Sequence, residues 1–337
     1  MRRRMRMMTL DDMKLLRQHP SEVVDLNGWD LDDEFPIGPT GAKPKRIFIC
    51  PSPAPHGFLI GGHRYLFKEP SGPYAMQIWS EVIAYELAKR VHVLVPPAFL
   101  ARAPGNGSPG VLIEFFYGYK DRPPARLISG IDRLQARGYP ISYKRGSLKD
   151  NINVCRGQAA PSWRSWWAET IAFDALIGNT DRHSENWGFL ANTGPHGGMT
   201  FSMAPAFDNG TSLGFVTREQ DLEQALSEAR FLRFIERGCH HYGWTSADRA
   251  SAQHVALCRS LVAHVTGTRA TMRRVATVSD ANFDEIVSWC REFNYSVPFS
   301  ALRARFVATQ LRARRNSILK TLAEGVQGHG TLGGVPT

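Results

Sequence analysis

The sequence predicts an α+β chain of two lobes, a small β-rich N-lobe carrying one helix and a larger, mainly helical C-lobe. Three observations carry this. Short apolar runs bounded by turn residues crowd between Arg46 and Tyr119. After Gly214 the apolar spacing becomes helical and stays so. The length, 337 residues, exceeds the roughly 100–200 of one ordinary domain. Strands grouped early and helices grouped late are the order of a segregated α+β architecture.

The elements follow in turn. Residues 1–8 hold four arginines, 9–20 allow a short helix, and 27–45 are rich in Gly, Pro and Asp, so 1–45 reads as an arm and lead-in with order firming near Arg46. Strands are expected at RIFIC, at HRYLFKE beyond a glycine-bearing turn, and at AFLARA and GVLIEFFY. Between them, Ala75 to Val91 spaces Ile78, Val82 and Tyr85 at helical intervals, and Pro96-Pro97 forbids continuation. Residues 46–118 therefore form the N-lobe.

The stretch 119–160 is punctuated by Pro and Gly and holds nine Lys or Arg against three Asp, which reads as a connector with a basic face. Pro161 opens a helix to Ile177 whose Trp163, Trp166, Trp167 and Phe173 make a broad apolar stripe, and Gly178 is its natural C-cap. Further helices are expected over about 217–237, 246–266, 279–293 and 298–324, making 119–325 the C-lobe and 326–337 a flexible tail.

Composition narrows the function classes. With 43% hydrophobic and 10% aromatic residues the chain is not a disordered one. No run approaches the roughly 18–20 apolar residues of a membrane span, and the N-terminus lacks an apolar region of signal-peptide length. A cytoplasmic protein without membrane contact is expected, a secreted effector role being left open. Five scattered cysteines without a CxxC pair argue against both a disulfide framework and a zinc knuckle. The formal charge of +10 favours an acidic partner without specifying one.

The densest chemical signal is GNTDRHSEN, Gly178 to Asn186, followed by strand-like WGFLA, a Gly-rich turn, strand-like MTFSMA, and Phe207-Asp208-Asn209-Gly210. Loop, hairpin and loop in this order gather Asp181, Asn186 and Asp208 into one oxygen-rich cluster, and hard oxygen ligands suit Mg²⁺. Asp181 and Asn186 are five apart, the spacing at which a kinase catalytic loop offers a carboxylate to the attacking hydroxyl and an amide to the metal. Asp208 then takes the second metal position. Each motif alone is as readily a turn; the joint order carries the argument.

The N-lobe should then supply a phosphate cover and a lysine. His56-Gly57-Phe58-Leu59-Ile60-Gly61-Gly62 is a turn whose Gly57, Gly61 and Gly62 are candidates for nucleotide contact, although it is not a strict GxGxxG. Lys68 follows on the next strand. Glu81, one turn after Ile78 on the helix, is the candidate to hold Lys68 by an ion pair, with Glu86 as its competitor.

At these residues the chain resembles the HipA-like bacterial serine/threonine kinases, whose catalytic loop has the NTDRHxxN form seen at Asn179 to Asn186. The likeness runs from about Arg46 to Gly325 and is most specific over FDALIGNTDRHSENW. The Asp-Arg-His order reverses the eukaryotic one and is shared with phosphoinositide kinases. The resemblance implies a bilobal protein-kinase-like fold, ATP with Mg²⁺, a protein serine or threonine acceptor, and often a toxin–antitoxin setting with a DNA-binding antitoxin. It implies that Lys68 contacts ATP phosphates, that Asp181 is the base, that Asn186 and Asp208 bind metal, and that Glu114 to Phe116 form the adenine hinge. Arg182 and His183 would support the loop.

The chain departs from the family in three places. It is too short for the additional N-terminal subdomain of longer members. Ser52-Pro53-Ala54-Pro55-His56-Gly57 matches the family's serine-containing phosphate loop poorly, which leaves control by autophosphorylation of Ser52 open. No Ala-Pro-Glu follows Asp208.

Two other features stand outside this pattern. The run from Ala301 to Lys320 holds Arg303, Arg305, Arg312, Arg314, Arg315 and Lys320 without an acid, which suggests nucleic acid weakly and a solvated helix face more strongly. Cys239-His240-His241 lacks a second ligand pair and reads as structural. A phosphoinositide-type lipid kinase and a catalytically silent kinase-fold binding protein are the alternatives to a protein kinase.

Overall fold

The computed structural model describes residues 17–32, 45–140, 146–158, 160, 162–193, 198–248 and 250–324. The arginine-rich arm, most of the expected 9–20 helix, Lys144, Arg145, Pro161 and the 326–337 tail lie outside them.

The N-lobe sheet comprises β1 (Val24–Asp25), β2 (Asp30–Leu31), β3 (Lys45–Ile49), β4 (Arg64–Lys68), β5 (Ala98–Arg102) and β6 (Pro109–Glu114), in the order β1-β5-β6-β4-β3-β2. Only the β1–β5 pair is parallel among these. Apolar alternation along the strands sends Phe48, Tyr65, Phe67, Phe99 and Leu112 into the core. The sheet reaches back before Arg46, contrary to expectation. β1 adds to the β5 edge and β2 to the β3 edge, burying Val24, Leu26 and Trp29.

The N-lobe helix is α1 (Gln77–Val91), and every residue from Gln77 to Ala88 is buried. Apolar residues lie on more than one of its faces and the buried Glu81 and Glu86 are ion-paired, so the helix is covered on all sides. β5 and β6 cover one flank and α9 (Asp280–Arg291) of the C-lobe the other. Trp79 fixes this contact: its ring packs among Phe293, Tyr295 and Phe299, and its Nε1 donates to the Val297 carbonyl at 2.8 Å.

The stretch read as a connector is instead folded. β7 (Ala125–Ser129) pairs with β8 (Gly188–Thr193), which pairs with β9 (Met199–Met203), and two helices follow β7, α2 (Gly130–Gln135) and α3 (Leu148–Gly157). Both helices start at a Ser-x-x-Asp signal that Gly and Pro punctuation masked. Ser129 and Asp132 form a reciprocal capping box, and the Ser147 hydroxyl accepts from the Asp150 N–H. Ile131, Leu134, Leu148 and Ile152 are buried beneath the basic surface residues.

α4 (Trp163–Ile177) is the centre of the C-lobe and packs against α7 (His254–His264), α8 (Thr268–Ala276) and α10 (Ala301–Glu324). The long helix expected over 217–237 is broken into α5 (Leu222–Ala225) and α6 (Glu228–Glu236) at Ser227, an N-cap residue type. The helix expected from 246 begins only at His254, and Gly267, at φ +83°, separates it from α8. Three of the five α10 arginines are ion-paired: Arg303 with Glu219 at 3.2 Å, and Arg312 and Arg315 with Asp280 of α9 at 3.2 and 2.5 Å. The described residues thus form a bilobal α+β protein-kinase-like fold, with a β-rich N-terminal region and a larger helical C-terminal one.

Candidate active site

The site begins at the C-terminus of α4. Gly178 caps it in the left-handed region, at φ +67°, where an added Cβ would meet the Arg314 guanidinium at 2.7 Å. The turn releases the chain into the Asn179–Asn186 loop, and a buried ion pair holds that loop in shape. Arg182 donates through Nε and Nη2 to the two oxygens of Asp174 at 3.1 and 2.8 Å, both side chains being fully buried. Asn179 and His240 also bond that carboxylate, at 3.0 and 3.1 Å. Burial alone would raise the Asp174 pKa, but Arg182 outweighs it and holds the carboxyl well below the usual range.

The same guanidinium reaches across to the second loop. It donates to the Asn186 carbonyl at 3.1 Å, to the Asn209 side-chain oxygen at 2.7 Å, and to the Phe207 carbonyl. Arg182 therefore ties the backbone at Asn186 to the Phe207 carbonyl and the Asn209 side chain, the residues on either side of Asp208. The hairpin does the rest, since the Ala204 N–H donates to the Gly188 carbonyl at 2.9 Å.

Within the loop the Asp181 N–H donates to the Asn179 side chain at 3.1 Å, and the Asn186 amide donates to the Asp181 carbonyl at 2.8 Å. The Asp181 carboxylate is free to face outward, 43% exposed, with His241 Nδ1 at 3.4 Å and His183 Nε2 at 3.9 Å. Burial lowers the His183 pKa, the nearby Asp181 only partly opposing it.

Lys68 sits between the lobes. Its ammonium donates to Glu81 at 2.8 Å and to Asp208 at 2.9 Å. The other Glu81 oxygen accepts from the Asn209 N–H at 3.0 Å, so one glutamate fixes both the lysine and the residue after Asp208. Glu86 is buried elsewhere, paired with Lys89 at 2.6 Å and Arg17 at 3.3 Å. Burial disfavours charge on both Lys68 and Asp208, yet their mutual attraction wins: the lysine pKa is pushed up and the aspartate's held well below its ordinary range. Asp208 adopts φ +59°, a left-handed conformation that Asp tolerates better than bulkier residues and that is found at strained functional positions.

Lys45 was missed in the sequence. It is the cross-strand partner of Lys68, and its charge also lowers the Asp208 pKa. The signal was the register of the β3–β4 hairpin, which places both lysines at one end. The same register places the glycine turn. Gly57, Gly61 and Gly62 connect Ile49 to Arg64 at the opposite end of the strand pair, about 14 Å along the strands from Lys68. That turn packs beside the segment Glu114 to Phe116: the His63 ring bonds the Phe115 carbonyl at 2.6 Å, and a Cβ on Gly62 would meet Lys120 Nζ at 2.7 Å.

Where the resemblance leads us to expect a hinge, Phe116 stacks on Phe207 with ring centroids 5.3 Å apart. The Glu114 side chain turns inward, where it accepts from the hydroxyls of Tyr119 at 2.6 Å and Tyr65 at 3.4 Å. Among the described residues no group of three or more His, Cys, Asp or Glu side chains is placed to hold a metal. Asp208 and Asn186 offer one carboxylate and one amide oxygen, a hard donor pair that fits Mg²⁺, which completes its shell with water and phosphate oxygens.

A β-rich lobe with one buried helix, a lysine–glutamate–aspartate contact between lobes and an Asp-bearing loop define a kinase-fold protein. Residues 37–276 match the HipA-like C-terminal domain family, and the chain belongs to it. The fold is similar to the crystal structure of the Helicobacter pylori proinflammatory kinase CtkA, with TM-score 0.67 and 15% identity, covering 90% of this chain and 98% of that one. It is also similar to HipA of Shewanella oneidensis MR-1, solved as a toxin–antitoxin complex of HipA, HipB and operator DNA, with TM-score 0.51 and 17% identity, covering 87% of this chain and 67% of that one. No curated protein matches the sequence. Among the described residues no helix is long and apolar enough to cross a membrane.

Proposed function

We propose that the chain is an ATP- and Mg²⁺-dependent protein serine/threonine kinase. The observation that supports this most is the seating of Lys68 between Glu81 and Asp208, at 2.8 and 2.9 Å, beside a loop that presents Asp181. In this reading residues 46–118 with their lead-in cover the nucleotide, and 119–325 carry the catalytic loop. Lys68 and Lys45 bind the donor phosphates, Glu81 orients Lys68, and the adenine meets the hinge backbone at Glu114 and the ring of Phe116. Asn186 and Asp208 hold Mg²⁺, which neutralises phosphate charge.

The acceptor hydroxyl oxygen bonds to the γ-phosphorus as the bond to the β–γ bridging oxygen breaks. ADP leaves with that electron pair, and the hydroxyl proton passes to the Asp181 carboxylate. Arg182 keeps the two loops in register throughout. The Shewanella complex supports a protein partner of the antitoxin kind for this chain as well.

The test is incubation of the purified protein with γ-labelled ATP and a whole-cell extract, with Mg²⁺ or with a chelator. Label should appear on protein serine or threonine, vanish with the chelator, and fall by roughly 10²–10³-fold or more in a folded Asp208→Ala variant. Label confined to lipid, or none from folded wild-type protein, would contradict the reading.

A further inference from the structure

Beside Asp181 lies an open cavity of about 950 Å³ that the catalytic geometry does not use. Thr180 and His241 line it on the catalytic side, and its far wall is one face of α6 with the residue after it: Arg230, Arg233, Phe234 and Arg237. These positions are spaced 3, 4 and 7 along the helix from Arg230, so they share a face. His241 Nδ1 lies 3.4 Å from the Asp181 carboxylate, which places this cavity against the base itself.

Its charge is the unusual feature. Of the α10 arginines, Arg303, Arg312 and Arg315 are paired with Asp280, Asp284 or Glu219, while Arg314, buried at the back of this cavity, contacts His254. Among the described residues, Arg230, Arg233 and Arg237 have no carboxylate partner, Arg233 only donating to the Ala229 carbonyl of its own helix at 3.0 Å. All three are exposed. Three guanidinium groups of one sign facing one cavity repel each other unless an anion is brought to them. Apolar Phe215, Val216 and Phe234 share the lining, and Val216 is 59% exposed. A phosphate backbone offers nothing to that apolar floor, whereas a peptide with acidic and apolar side chains matches both parts.

We propose that this cavity is the acceptor groove and that it selects a serine or threonine set in an acidic peptide segment. Resting on the kinase reading above, this adds the substrate class. Arg237 stands four residues before His241, a span of at most about 14 Å, so an acid that pairs with Arg237 lies within about four residues of the acceptor hydroxyl, and Arg233 and Arg230, about 6 and 10 Å further along the helix, meet acids farther away. Arginine's planar fork takes a carboxylate bidentately, which makes these positions selective for acids and not merely for charge.

The experiment has a binding arm and a transfer arm. In the first, a short fluorescein-labelled peptide with a central serine flanked by glutamates and one leucine is titrated into the full chain, beside a counterpart with lysines for glutamates and a labelled single-stranded oligonucleotide. The acidic peptide should bind, and Arg230→Glu/Arg233→Glu/Arg237→Glu should raise its Kd about tenfold, three exposed pairs being worth roughly 0.2–1 kcal/mol each. Arg305→Glu, an exposed α10 arginine, should leave it unchanged, and a melting curve shows that the triple variant folds. In the second arm, wild-type protein should phosphorylate the acidic peptide with lower KM than the lysine peptide.

Equal binding of both peptides, or an acidic-peptide Kd unchanged in the triple variant, would overturn the proposal, as would oligonucleotide binding lost in that variant while peptide binding persists. Phosphoryl transfer without acid preference would sink the groove assignment alone. Acid-selective, variant-sensitive binding without any transfer would sink the kinase reading and leave the acidic-peptide site standing.

Discussion

The sequence offers Lys68 two glutamate partners, Glu81 and Glu86, and the structure pairs it with Glu81 at 2.8 Å and also with Asp208 at 2.9 Å. Because Glu81 touches both Lys68 and the Asn209 N–H, the three residues act as one unit. Lys68→Ala and Glu81→Ala should therefore lose similar amounts of activity, with the double variant little worse than either, as a double-mutant cycle on transfer rate would show. Additive losses would mean separate roles. That Asp181, Asn186 and Asp208 would lie on two adjoining loops was legible because the loop–hairpin–loop order shows directly in the residue spacing. Asp174 and Lys45 were not, for each acts through a partner brought close only by the folded backbone: Arg182 for the one, the β3–β4 register for the other.

A second residue-scale expectation concerns His254. Its Nε2 donates to the Asn179 carbonyl at 2.7 Å while Arg314 lies 3.4 Å from Nδ1, so the ring is held neutral beneath the Asn179–Asn186 loop. Burial, reinforced by Arg314, lowers its pKa to about 3. With the folded value depressed, the unfolded chain binds more protons between about pH 6.5 and 3. Stability from this group is complete above about 6.5 and is lost as pH falls, by up to roughly 1.4 kcal/mol per unit. Denaturant midpoints at pH 7 and 5 should differ, and His254→Gln should flatten that difference. A slope unchanged in the variant would assign it to other groups.

At the scale of elements, α1 was legible in position but not in environment. Ile78, Val82 and Tyr85 mark a helix, whereas the burial of its remaining faces depends on α9 and on Phe293, Tyr295 and Phe299, far along the chain. The 119–160 stretch failed for the opposite reason. Its turn residues were read as breaks, although Ser129 and Ser147 cap helices. Trp79 is the anchor of α1 in the C-lobe. Trp79→Ala should cost about 3–5 kcal/mol, leaving a cavity that its aromatic cage cannot close, and should weaken activity because Glu81 rides on the same helix. A thermal melt read with the transfer rate checks this, and an unchanged melting temperature would mean that α1 is held by the sheet alone.

For the whole molecule, the two lobes meet where the chemistry is proposed. Glu81 reaches from the N-lobe to Asn209, Lys68 reaches to Asp208, and Arg182 binds the C-lobe loops into one piece. The two-lobed α+β class was legible because strand and helix periodicities separate cleanly along the chain, while the early edge strands β1 and β2, of two residues each, carry too little periodicity to be read. The central claim is that this junction transfers a phosphoryl group with Asp181 as base. The most direct measurement compares wild type and Asp181→Asn for ATP affinity and for the rate of γ-phosphate transfer to protein. Unchanged ATP affinity with transfer reduced by about 10²–10⁴-fold is the predicted result; transfer at the wild-type rate in the folded variant would contradict it.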